Sequence, residues 1–245
     1  MFRPKWLGLL LLALVCTILL RWPVLAQTPT NEGILAGSNG AMTSHGPNDP
    51  HMQMTPTWPL ASEDEAYGAE LMTTVRDAIS PYTDIAKAEA DNYRPFPADP
   101  GDMRIVHYVN YRRSWQEGQR LDPTRPGSLL YERQPNGELA LLGVMFTAPP
   151  DSTLETLNER VPLSLTRWHQ HTNICLPRPV WDREQWARSQ TGRPLFGPES
   201  EIATAADCDA VGGDFFPTLL GWMVHINAFA ADPADVWNPM YGHDR

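Results

Sequence analysis

The apolar positions of the chain change their period several times, and each change predicts an element. Behind Ser62-Glu63-Asp64-Glu65, which has the spacing of a capping box, Tyr67, Leu71, Val75 and Ile79 recur every four residues. That combination predicts an amphipathic helix starting at Ser62. Pro81 interrupts it, and 84–91 offers a further helical turn or two before the proline-rich stretch 95–100. From Met103 the period is two, with Ile105, His107 and Val109 on one face of a strand and Val106, Tyr108 and Asn110 on the other. The runs 128–132 and 138–146 flank Gln134-Pro135-Asn136-Gly137, and Asn-Gly between apolar runs predicts a hairpin. A second capping box, Ser152-Thr153-Leu154-Glu155, predicts a short helix. Strands are expected over 163–175 and 219–228, and helices over 181–189 and 204–211, the last ending at Gly212-Gly213. Helices and strands mix without a βαβ rhythm. The expected fold is a single α+β domain, 62–245, with a mainly antiparallel sheet and short flanking helices.

Ahead of that domain the pattern is different. Residues 27–61 show no apolar period and are rich in Pro, Gly, Asn, Thr and Ser, the composition of a disordered linker. Residues 1–26 place Arg3 and Lys5 before an apolar run, 6–20, and close on Val24-Leu25-Ala26, the shape of a secretory signal peptide cut before Gln27. The competing expectation is an uncleaved anchor over 6–26 that keeps the protein on a membrane. Lipoprotein processing is not expected, because Val15 precedes Cys16 where a small residue is needed.

Composition narrows the function classes. With 245 residues, 42% of them hydrophobic, and nine tryptophans, the chain can build a real core and is neither disordered nor a disulfide-dense miniprotein. Loss of residues 1–26 leaves 16 basic residues against 29 acidic ones, a balance of −13, which argues against nucleic acid as a partner. Three cysteines are too few for a cysteine-rich zinc module. Export to an oxidising compartment favours a disulfide between Cys175 and Cys208.

The densest chemistry lies in Arg167-Trp168-His169-Gln170-His171-Thr172-Asn173-Ile174-Cys175. Strand alternation puts His169, His171, Asn173 and Cys175 on one face, and the Cα atoms of His169 and His171 about 6.6 Å apart, close enough to share an ion. Cys175 falls roughly 13 Å beyond His171 along an extended strand, outside such a site. His225 and His107, both at strand centres, are the candidates to complete it, with Glu132 as a fifth ligand or general base. Such a donor set suits copper or zinc. His45, His51, Met52 and Met54 add an accessory arm of imidazoles and thioethers, the ligands copper prefers, from which an ion could pass to the folded site. Carrier and metalloenzyme remain equally open.

The rival expectation is a metal-free periplasmic binding module in which Trp168, Trp181, Trp186 and Trp222 line a groove. A third is a membrane-anchored assembly factor, should 6–26 be retained. Covalent hydrolysis is disfavoured: Ser114, Ser128 and Ser164 lack a Gly-x-Ser-x-Gly elbow, and the chain has no P-loop or dinucleotide glycine motif.

The blocks His107-Tyr108-Val109-Asn110, Leu121-Asp122-Pro123-x-Arg125-Pro126, Leu129-Leu130-Tyr131-Glu132, Leu142-Gly143-Val144, Arg167-Trp168-His169-x-His171-x-Asn173-x-Cys175 and Gly221-Trp222-Met223-x-His225 stand in this order. In that order the chain, over about residues 75–228, resembles a family of uncharacterised secreted bacterial proteins. The resemblance implies secretion and supports the histidine site, with no activity attached. The His-x-His pair is also similar to the first cupin motif. The Glu that follows the pair there is absent here, since Thr172 and Asn173 come next and Glu184 is the first Glu, so that likeness ends with the pair.

Overall fold

Four-residue spacing puts Leu71, Val75 and Ile79 on one side of helix α1 (Ser62–Ile79), where all three are buried. The helix begins without the capping box that its sequence suggests. Ala61 is the N-cap, no side chain closes the first turn, and the Ser62 hydroxyl donates to Glu63 Oε2 at 3.2 Å. Glu63, Asp64 and Glu65 still place negative charge at the positive end of the helix dipole. A computed structural model describes residues 49–96 and 103–241, within one compact unit, Ser38–Arg245. The signal segment 1–26, the linker up to residue 48 and His45 lie outside the described residues.

A seven-stranded sheet carries the domain. Its strands are β1 (Met52–Met54), β2 (Arg94–Phe96), β3 (Ile105–Val109), β4 (Ser128–Arg133), β5 (Leu139–Ala148), β6 (His169–Pro177) and, after a small pair β7 (Ser189–Gln190) and β8 (Arg193–Pro194), β9 (Gly213–Ile226). They lie in the order β1-β6-β9-β5-β4-β3-β2 with every pairing antiparallel. Among the described residues, five further α-helices flank them: α2 (Ile85–Ala90), α3 (Tyr111–Gln119), α4 (Leu154–Arg160), α5 (Arg183–Trp186) and α6 (Ala205–Ala210). The protein therefore has the expected α+β fold with an antiparallel sheet. The hairpin also forms as expected: Arg133 pairs Leu139, and Gly137 takes φ +86°, a conformation that asparagine-glycine turns favour.

Strand alternation divides the sheet into two faces. Val106, Tyr108, Leu129, Val144, Phe146, Trp168, Trp222 and Val224 pack with Leu71, Val75 and Ile79 of α1 into the main core. Each such side chain contributes about 1.5–3 kcal/mol by leaving water. The opposite face gathers a smaller cluster, Ile105, Leu130, Leu142, Met145 and Met223, and this is the face that carries the histidines.

Several segments differ from their expected structure: 163–168, expected as strand, lie ahead of β6 as turn and loop, and β9 starts at Gly213, before the expected 219–228. Helix α3 arises without an apolar stripe: Tyr111 and Trp115 are exposed, and Glu117 is its buried residue. Its cap is Asn110, whose Oδ1 accepts from Arg113 N at 3.1 Å. The second capping box closes one residue later than Ser152, on Thr153, whose hydroxyl accepts from Thr156 N. Residues 49–61, expected within the linker, run along β6 instead. Met52, Gln53 and Met54 pair His171, Gln170 and His169, and Thr55 N donates to Trp168 O at 2.9 Å. A three-residue edge strand has no period to read, because its partner strand supplies most of its order.

Candidate functional site

His169 and His171 stand on one face of β6, as the alternation predicts, since the β1–β6 register runs unbroken through both. On the other side of β6 the register with β9 shifts between His169 and His171, and two residues later the strand departs from ordinary β geometry. Asn173 takes φ +55°, and its side chain donates to Pro50 O at 2.8 Å rather than continuing the histidine row. Cys175 leaves the site for a disulfide with Cys208 and a small cluster with Leu195 and Phe196.

Register places the other histidines. His225 on β9 faces Met145 on β5, and Met223, two residues earlier, faces His169 on one side and Thr147 on the other. His107 on β3 faces Leu130 on β4, which in turn faces Gly143 on β5. Two strands, β4 and β5, separate His107 from His225 in the sheet order, yet their ring centroids are 5.5 Å apart. The sheet coils to achieve this. The backbone at the end of β9 closes over Gly143, where a β-carbon would meet Ile226 O at 1.9 Å.

The four imidazoles consequently form a row. His107 meets His225 at 5.5 Å, His225 meets His169 at 5.0 Å, and His169 meets His171 at 5.8 Å between ring centroids. The inner pair, His225 and His169, is buried, while His107 and His171 are half-buried at the two ends. Two imidazoles on one tetrahedral ion have centroids about 5 Å apart, because the metal–nitrogen distance is about 2.0–2.1 Å. The His225–His169 pair, at 5.0 Å, matches that figure, and the two outer pairs, at 5.5 and 5.8 Å, are wider. Among the described residues, no group of three or more His, Cys, Asp and Glu side chains is placed to hold a metal ion as it stands. Beside the row, Ser128 is paired with Met145 and buried, and its hydroxyl finds no hydrogen-bond partner among the described residues.

No family model, curated protein or solved structure matches this chain. The site is therefore read from its own geometry.

Glu132 shares the histidine face but is otherwise occupied. Its Oε1 accepts from Arg104 Nε and Nη2 at 3.1 and 2.9 Å, and both oxygens accept from Tyr241 Oη at 3.1 Å. The hydrogen bond from Arg104 to this carboxylate raises the guanidinium's pKa, and burial, then the carboxylate, raises that of the Tyr241 hydroxyl. A carboxylate held this way completes an ion pair with Arg104 and a hydrogen bond with Tyr241.

His51 is likewise committed. It is buried, with Nδ1 3.0 Å from Asn173 O and Nε2 2.8 Å from Ser200 O. It fastens the N-terminal segment to strand β6 and to the distant segment at Ser200, and is not part of a free arm. Met52 and Met54, its neighbours, lie directly opposite His171 and His169.

The four tryptophans do not form a groove. Strand parity sends Trp168 and Trp222 into the main core, with Trp168 Nε1 donating to Val161 O at 3.2 Å, whereas Trp181 is 80% exposed.

Two features of the site escape simple motif reading. Met223 is signalled by its place two residues before His225, but Met145 emerges only from the β5–β9 register. Glu117 is the second. Buried on α3, it accepts from Gly127 N at 2.6 Å and from Thr147 N and Oγ1, fastening the helix to the start of β4 and to β5. Burial pushes its carboxyl up to about 7 against the opposing pull of those hydrogen bonds.

Proposed function

We propose that the protein is an exported metal-binding protein whose ion is held by His169 and His225, with His107 and His171 as the flanking ligands. One observation carries this reading: three strands bring four imidazoles into a row at 5.0–5.8 Å, with the inner pair at the spacing of ligands that share an ion. Imidazole donors suit copper and zinc alike, and the ion serves either transport or catalysis.

Several features support export. Cys175 and Cys208 are joined by a disulfide, the state an oxidising compartment maintains. The N-terminal sequence has the layout of a signal peptide.

The test is the metal content of the full chain purified from the periplasm without an affinity tag, measured by inductively coupled plasma mass spectrometry. About one copper or zinc per chain is expected, lost in His169→Ala/His225→Ala and reduced in the half-buried His107→Ala. An absence of metal in the wild type, persisting after dialysis against copper and zinc, would overturn the proposal.

A further inference from the structure

Building on that multi-histidine reading, we infer that Met52 and Met54 are thioether ligands of the same centre and that its ion is cuprous copper. The register decides which side chains meet. Met52 is paired with His171 and Met54 with His169, and directly opposed residues of antiparallel strands project to the same face with Cβ atoms about 4.5–5.5 Å apart. Burial follows the same alternation: Met52 and Met54 are half-buried while Gln53 between them is exposed. The thioethers thus lie on the histidine side, next to the two imidazoles that β6 contributes.

The strand that carries them is fixed at both ends. On one side the His51 ring sits between Asn173 O and Ser200 O. On the other, Thr55 exchanges hydrogen bonds with the Trp168 backbone and its carbonyl accepts from Arg167 Nε at 2.7 Å. A segment held this way presents its side chains at a set position, which a flexible arm cannot do.

Residue choice points the same way. A half-buried position on a short strand is best served by Val, Ile or Thr, which fit the pleated surface. Both inward positions of β1 are instead Met, an unbranched residue whose sulfur is a soft donor. Thioether sulfur selects Cu(I), whereas zinc sites use imidazole, thiolate and carboxylate. A mixed set of two thioethers and two or more imidazoles is therefore matched to a cuprous ion entering at the β1 edge. Binding is a ligand exchange without electron transfer.

The test titrates the metal-free full chain anaerobically with Cu(I) against a chromophoric cuprous chelator, and separately with Zn(II) against a zinc indicator. Wild type is compared with Met52→Leu/Met54→Leu, a nearly volume-conserving change, and with His169→Ala/His225→Ala; circular dichroism confirms folding. The methionine variant is expected to lose at least tenfold in Cu(I) affinity while its Zn(II) affinity stays within twofold. X-ray absorption of the copper-loaded wild type is expected to show sulfur scattering that the variant lacks. Equal Cu(I) affinity in wild type and methionine variant, or an equal loss for both metals, would overturn the thioether assignment and leave the histidine centre standing. Zinc binding by a wild type that ignores Cu(I) would do the same. A wild type that binds neither ion would remove both.

Discussion

Gly143 and Ile226 approach more closely than any side chain at 143 would allow, since a β-carbon there would lie 1.9 Å from Ile226 O, 2.8 Å from Ala228 N and 2.9 Å from Asn227 Cα. All three atoms belong to backbone, which cannot swing aside. The approach lets the end of β9 lie close against β5, one residue beyond His225. A glycine is needed here for space, not for an unusual φ.

Gly143→Ala should therefore separate β9 from β5, costing at least the 1–3 kcal/mol typical of overpacking, an order-of-magnitude figure of about 2 kcal/mol, and disturbing the histidine row. Gly118 is the control. It lies in α3 with nothing within 4 Å of an added β-carbon, so Gly118→Ala should stabilise by about 0.5–1 kcal/mol through helix propensity. Urea denaturation of both variants checks the pair. Equal, small effects would show that β9 does not press on position 143.

Glu117 makes stability depend on pH in an unusual direction. Its folded-state pKa of about 7 lies above the ordinary 4.5, so the folded protein binds the proton more tightly than the unfolded chain between those values. The stability from this group is fully present below about pH 4.5 and is lost as pH rises towards 7. At about 1.4 kcal/mol per pKa unit, the swing is on the order of 3 kcal/mol. Glu117→Gln removes the titration and turns one acceptor into a donor facing a backbone N–H, at a cost of about 1–3 kcal/mol. Denaturation at pH 5 and pH 8 should show the substitution costing more at pH 5. A cost independent of pH would mean that the carboxyl titrates near its ordinary value.

Much of this site could be read from period-two alternation alone. His169 with His171, and His107 with Ile105, share faces because the pleat leaves no other choice, and the Asn136-Gly137 turn sets the β4–β5 hairpin. What could not be read is non-local. The meeting of His107 and His225 depends on how far the sheet coils at Gly143, a property of strands 80 residues or more apart in the chain. Strand β1 is too short for a period and gains its order from β6. Helix α3 lacks an apolar stripe because a carboxylate, not a hydrophobic face, anchors it. The contacts of Glu132 are equally non-local, because Arg104 and Tyr241 arrive from β3's approach and from the C-terminal segment.

His51 joins segments that are 122 and 149 residues away along the chain. Replacing it with Ala removes contacts to one buried and one half-buried carbonyl and leaves a cavity, a loss of about 2–4 kcal/mol concentrated at the edge of the sheet. Hydrogen exchange is the right probe, because edge strands open locally before the whole domain does. In His51→Ala, exchange at Met52, Gln53 and Met54 should rise while the β4–β5 hairpin is unchanged. Uniform acceleration across both would show that β1 is no separate unit.

The disulfide closes a loop of 33 residues between β6 and α6. Gly213 makes room for it: a β-carbon there would lie 2.5 Å from Cys175 Sγ and 2.8 Å from Cys208 Sγ. By loop entropy, opening the bond should cost about 3–4 kcal/mol. Its cluster with Leu195 and Phe196 is separate from the histidine face, since the alternation of β6 breaks at Asn173. Cys175→Ser/Cys208→Ser should accordingly lower the denaturation midpoint without changing the ion bound per chain at temperatures where the variant stays folded. Loss of metal from the folded variant would place the disulfide within the site's support, because β6 would then transmit the change from Cys175 to His171 across the turn at Asn173.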